Sequence, residues 1–93
     1  RRGAGGAKVV SAEQEKALFV PLYACWFDMF ACGKKRVEFR VYGPRWNERT
    51  CRIGRLITLS RGYGKKNRLR GWITGFCNND GTAEISIKLE GDK

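Results

Sequence analysis

The sequence predicts an α+β protein: a small, mixed, mostly antiparallel β-barrel of about five strands carrying one main helix. Three observations lead there. One stretch repeats its apolar positions at helical spacing and ends on a glycine. Five short stretches are apolar or alternate with period two, and turn-forming residues separate them. At 93 residues the chain has room for one domain and one modest core, with no internal repeat.

Residues 1–10, "RRGAGGAKVV", read as a mobile Gly/Ala-rich tail, and 11–93 as a single domain. Ser11 to Gln14 fits a capping box, with Ser at N-cap and Gln at N3. "ALFVPL", 17–22, is an apolar run of strand length, and Pro21 confines it to an edge or a strand end. Leu22, Trp26, Met29 and Phe30 then recur at i, i+4, i+7 and i+8. That spacing predicts a helix over 23–32 burying one face, with Gly33 at its C-cap and Trp26 in the core.

Over 36–42 the period becomes two. Val37, Phe39 and Val41 are expected to face the core, and Arg36, Glu38, Arg40 and Tyr42 the other side. Gly43-Pro44 breaks this strand into a loop. "RIGRLITLS", 52–60, predicts a central strand, and "RGYGKKNR", 61–68, a Gly-rich basic turn. "LRGWITGF", 69–76, is the return strand, with Trp72 in the core. "NNDG", 78–81, is a turn, and "AEISIKLE", 83–90, alternates cleanly as the last strand.

Composition removes several function classes. There is no histidine, so neither a Ser-His nor a Cys-His nucleophile pair can form. Zinc sites that mix cysteine with histidine are excluded too, and the four cysteines lack the C-x2-C spacing of an all-cysteine knuckle. Two disulfides are conceivable on the even count, but reduced, buried thiols are the expectation. No apolar run reaches the roughly 18 residues of a membrane span, and no apolar stretch closely follows Arg1-Arg2 as a secretory signal would require. A cytoplasmic protein is expected.

The net charge is +10, and one segment holds all of the excess. Residues 33–70 contain 13 Lys or Arg against Glu38 and Glu48, a net of +11. Such a field attracts a polyanion, nucleic acid before anionic membrane, and exceeds what solubility alone requires.

Within that segment, Gly33-Lys34-Lys35-Arg36-Val37-Glu38-Phe39-Arg40 reads as G-x-K-x-x-E-x-R. Placed after a short strand and a glycine-capped helix, this pattern resembles the ASCH domain, a member of the PUA-like β-barrel superfamily. The preceding "VPLYACWFDMFACGKK" and the following "CRIGRLITL" are similar to the family's opening strand and helix and to its next strand. The resemblance spans 17 to about 77. It implies a barrel with a cleft beside the helix, lined by the motif, and an association with RNA or other nucleic acid. Some small members act as amidohydrolases on acylated cytidine, or as ribonucleases. Carried over, Lys35, Glu38 and Arg40 match the motif's functional charges. The amidohydrolase members place a nucleophilic threonine where this chain has Glu38. They also carry a helical insertion before the last strand, where this chain has only "CNNDG". Both differences separate the chain from those enzymes.

Read residue by residue, the cations on either side of Glu38 favour its ionised form. That suits an acceptor of hydrogen bonds, or an ion-pair partner, better than a general base poised near neutrality. Lys35 is placed to reach a phosphate, or is a solvated surface charge. Arg40 holds a phosphate or base edge with two bonds, or pairs with Glu38. Arg45 and Trp46 in the loop suit a phosphate clamp beside a stacked base, although Trp46 equally suits plugging the barrel end. Tyr42 is a further stacking candidate. Around the basic turn, Lys65, Lys66, Arg68 and Arg70 are expected on phosphates, with Tyr63 available for stacking. Gly64-Lys65-Lys66 does not complete a P-loop. The expected function is a nucleic-acid-binding module, with RNA or single-stranded DNA ahead of duplex. It binds as a monomer without metal, cofactor or membrane. The alternative is a hydrolase on RNA or a modified nucleoside, with Lys35 and Glu38 as the reactive pair.

Overall fold

A computed structural model describes residues 16–91. The tail and the Ser11–Gln14 capping box lie outside them. Five strands, β1 Leu18–Leu22, β2 Val37–Val41, β3 Leu56–Arg61, β4 Arg68–Asn79 and β5 Thr82–Leu89, and one helix, α1 Ala24–Ala31, make up the fold. The strands form one sheet in the order β1-β3-β4-β5-β2, curled into a half-barrel. Only β1 and β3 run parallel; every other neighbouring pair is antiparallel. None of the described helices is long and apolar enough to cross a membrane.

The spine is β4, twelve residues long, which pairs with β3 through its first half and with β5 along most of its length. A register shift between Ile73 and Gly75 inserts Thr74 as an extra residue against β5. Such a bulge bends a strand and increases its twist, which curls the sheet. It also changes parity. Ile73 pairs with Ile87 and Phe76 with Ile85, so two β4 residues three apart face the same core. The following hairpin turns on Asp80 and Gly81, both with positive φ, as a two-residue type I′ turn requires. Along β5, Ala83, Ile85, Ile87 and Leu89 are buried in strict alternation, as the sequence predicts.

The helix begins and ends within one or two residues of expectation. At its C-terminus Gly33 N–H donates to the Phe30 carbonyl at 3.1 Å and Lys34 N–H to the Met29 carbonyl at 2.9 Å. This is a Schellman pair, and the φ of +83° at Gly33 supplies its left-handed residue. The buried face is the predicted one in part: Leu22 and Phe30 are buried as expected. Phe27 also enters the core, whereas Trp26 stays 45 % exposed. Trp72, also expected in the core, is half-buried on the β3–β4 pairing.

The predicted strand at 52–60 is shorter. Residues 52–55 form a turn through Gly54, and the strand starts at Leu56. Backbone bonds from Gly54 N–H to the Ile73 carbonyl and from Ile73 N–H to the Arg55 carbonyl tie the turn to β4 beside the bulge.

The largest correction concerns β2, whose faces are reversed. Phe39 and Val41 point outward and are well exposed, while Glu38 is buried, 7 % exposed. Register explains this: Glu38 lies opposite Ile85 and Arg40 opposite Ala83, and both of those β5 residues face the core. Residues directly paired across antiparallel strands share a face, so the charged set is turned inward.

The four cysteines are unbridged. Contrary to expectation, only Cys51 is buried; Cys25, Cys32 and Cys77 are exposed. Burial pushes the Cys51 thiol above its ordinary value. The thiolate is the species that alkylates, so Cys51 should resist iodoacetamide in the native protein. Mass mapping at pH 8 should find three cysteines modified quickly and the fourth only after denaturation. Four equal rates would show that Cys51 is not buried in the native protein.

Candidate nucleic-acid interface

Because the sheet is a half-barrel, β1 and β2 are its two edges and face each other without a hydrogen-bonded ladder. Arg40 bridges this seam. Its Nε donates to Glu38 Oε2 at 2.8 Å, and its Nη2 donates to the Pro21 carbonyl of β1, also at 2.8 Å. The inward turn of Glu38 and Arg40 therefore has a cause. An edge carbonyl that would otherwise lack a partner is satisfied by a guanidinium, and the carboxylate neutralises that guanidinium.

A cleft of about 640 Å³ opens over the seam. Glu38 and Arg40 form its polar floor, and Tyr23, Trp26, Phe39 and Tyr63 its aromatic walls. Its polar groups are few and converge, and its walls are apolar, which is the composition of a ligand site. Tyr23 and Tyr63 are both about four-fifths exposed. Their rings stand at the mouth free to meet a ligand.

Two of the walls are positioned by the chain around them. Gly62 N–H donates to the Leu22 carbonyl at 2.8 Å, and Arg61 spans Asp28 of α1 with Nε–Oδ1 3.2 Å and Nη2–Oδ2 3.4 Å. These bonds hold the β3–β4 hairpin against the helix and bring Tyr63 over the cleft. On the opposite wall, Lys35 Nζ lies 5.4 Å from the Trp26 ring centre and 4.9 Å from that of Phe39. It also stands 3.8 Å from Glu38 Oε1. Lys35 is thus a largely buried cation that braces the wall and the carboxylate, and it does not extend toward solvent.

The ten predicted site residues divide into groups. Glu38, Arg40 and Tyr63 line the cleft, and Lys35 backs it. Lys65 and Lys66 are exposed at the hairpin tip beside Tyr63. Arg68 folds back on the hairpin, donating to the Gly64 carbonyl at 3.2 Å and covering the Phe19 ring at 5.1 Å. Trp46 is 9 % exposed and belongs to the core. So buried, it has no free face on which to stack a base. Its ring instead supports Arg40 at 4.8 Å and Arg45 at 5.5 Å. Arg70 lies apart from the cleft and borders a smaller depression of about 280 Å³ with Glu90. Tyr42 also lies outside the cleft: its hydroxyl donates to Glu48 and its ring meets Phe76 at 6.3 Å. That bond raises the tyrosine pKa and lowers the carboxyl's.

Sequence reading missed Tyr23, Trp26 and Phe39 as cleft residues. An apolar residue at helical or strand spacing carries the same signal whether its neighbour is a core or a cleft. Comparison with known proteins supplies no relative: no protein-family model and no curated protein matches this chain.

Proposed function

We propose that the chain is an ASCH-like module of the PUA-like barrel class that binds single-stranded nucleic acid, RNA foremost. One base enters the cleft between the aromatic walls, and the adjoining backbone runs across the basic hairpin. The observation that carries this reading is a Glu38–Arg40 floor walled by four aromatic rings, one of which, Tyr63, shares its hairpin with the exposed Lys65 and Lys66. Those two lysines have no acidic partner among the described residues. Aromatic walls accept the face of any base, and the polar floor meets its edge. Duplex is disfavoured because a paired base cannot enter a cleft of this kind without being flipped out.

The hydrolase alternative is the weaker one. Glu38 is held by Arg40 and Lys35, so the group best placed to act as a base is already neutralised by two cations.

The test is titration of labelled single-stranded RNA, single-stranded DNA and duplex at two salt concentrations, with cleavage followed in the same samples. With Lys65, Lys66, Arg45 and Arg68 as the cations in reach, three or four phosphates are neutralised. A log–log salt slope of about −2 to −3 is expected for single strands. Affinity independent of salt, or tighter binding to duplex, overturns the reading. Cleavage abolished by Glu38→Gln would favour the hydrolase.

A further inference from the structure

The cleft floor has a hydrogen-bonding character that distinguishes the bases. Glu38 is buried and lines the cleft, and among the described residues it accepts one side-chain hydrogen bond, from Arg40 Nε to Oε2. Lys35 lies 3.8 Å from Oε1, an ion-pair distance longer than a hydrogen bond. A carboxylate offers about four acceptor positions and no donor. The Glu38 carboxylate therefore has acceptor capacity beyond these two contacts. A cation flanks each oxygen, Arg40 at Oε2 and Lys35 at Oε1.

Resting on the function proposed above, we infer that the base taken into this cleft is guanine. Its Watson–Crick edge carries two donors on adjacent positions, the ring N1–H and the exocyclic N2–H, at the spacing of carboxylate oxygens. Adenine, cytosine and uracil each offer one donor position there, with at least one acceptor beside it that a carboxylate repels. Beside its two donors guanine carries O6, an acceptor. Whichever way the base lies, O6 falls on the side of one of the two cations. Trp26 and Tyr63 cover the faces of the ring, since both line the cleft and both are substantially exposed. A buried acceptor pair that a ligand leaves unmatched is costly, so discrimination comes from rejecting the other bases as much as from binding guanine.

The experiment titrates the full chain with the 5′-monophosphates of guanosine, inosine, adenosine, cytidine and uridine, following tryptophan fluorescence. Guanosine monophosphate is expected to bind at least about tenfold tighter than the other three standard nucleotides. Inosine keeps N1–H and O6 but lacks the exocyclic amine, and it should bind about tenfold more weakly than guanosine. That comparison needs no protein variant. Glu38→Gln should compress the guanosine-to-adenosine ratio toward unity, with circular dichroism confirming that the variant is folded. Equal affinities for all four standard nucleotides, or equal binding of guanosine and inosine, overturn the guanine assignment. If guanine-free single strands then still bind with the expected salt slope, the module reading survives. If no single strand binds, both fall.

Discussion

Replacing Arg40 with alanine should cost about 2–3 kcal/mol of folding stability, below the full buried-pair figure because both partners keep some solvent contact. Three groups lose their partner together: the Glu38 carboxylate, the Pro21 carbonyl on the opposite edge strand, and one face of Trp46. For a chain of this size the urea midpoint should fall by about 2 M. Arg40→Lys keeps the charge but loses the rigid planar fork that reaches Glu38 and Pro21 together, so it should recover only part of the loss. Combining Arg40→Met with Glu38→Gln should be milder than the two single effects added together, because the Arg40–Glu38 pair is removed as a unit and only Lys35 loses its counter-charge. Strict additivity in that cycle would show that the two side chains do not act as a unit across the seam.

The second large effect is on binding. Trp26→Ala and Tyr63→Ala each remove a stacking surface worth about 1–3 kcal/mol per base, so single-strand affinity should fall about tenfold or more for each. Both rings are well exposed, so the fold should be little affected. The salt slope should stay unchanged, because no cation is removed. Lys65→Ala with Lys66→Ala should do the reverse. It should weaken all sequences alike and make the slope shallower by about 1.4, at 0.7 per phosphate contact. Unaltered affinity after removal of both rings would place the nucleic acid elsewhere on the molecule.

Sequence and structure agree best where local rules suffice. The β5 alternation buries Ala83, Ile85, Ile87 and Leu89 in order, and Gly33 closes the helix in the conformation its position implies. They part where a long-range pairing outweighs a local preference. In "VEFRV" the default is to bury Val37, Phe39 and Val41. The opposite face wins because Arg40 finds a carbonyl 19 residues away and Glu38 neutralises it within the strand. Burying the charged face is tolerable only when every charge is paired and hydrogen-bonded. No inspection of five residues supplies the partner.

Trp26 departs from its expected role, and Trp46 takes the buried one of the two its sequence position allowed, for a similar reason. Trp46 sits in a loop, where exposure is the usual expectation, yet it closes the core. Trp26 sits at core spacing on a helix, yet it meets the seam of a sheet that does not close. The cationic segment is also subdivided by folding. Lys65 and Lys66 stay free at the hairpin tip, Arg61, Arg40 and Lys35 are consumed in ion pairs, and Arg70 is carried to another depression.

Element type, element order, the helix cap and the hairpin turn came from short-range patterns of apolar spacing, glycine and Asp-Gly, each acting within a few residues. Which face of β2 turns inward, and which aromatic rings wall the cleft, depended on two sheet edges meeting without hydrogen bonds between them. That meeting is a property of strand order and curvature. Only the folded chain brings Pro21 opposite Arg40, so only there do Tyr23, Trp26 and Phe39 join Glu38 and Arg40 around one cleft.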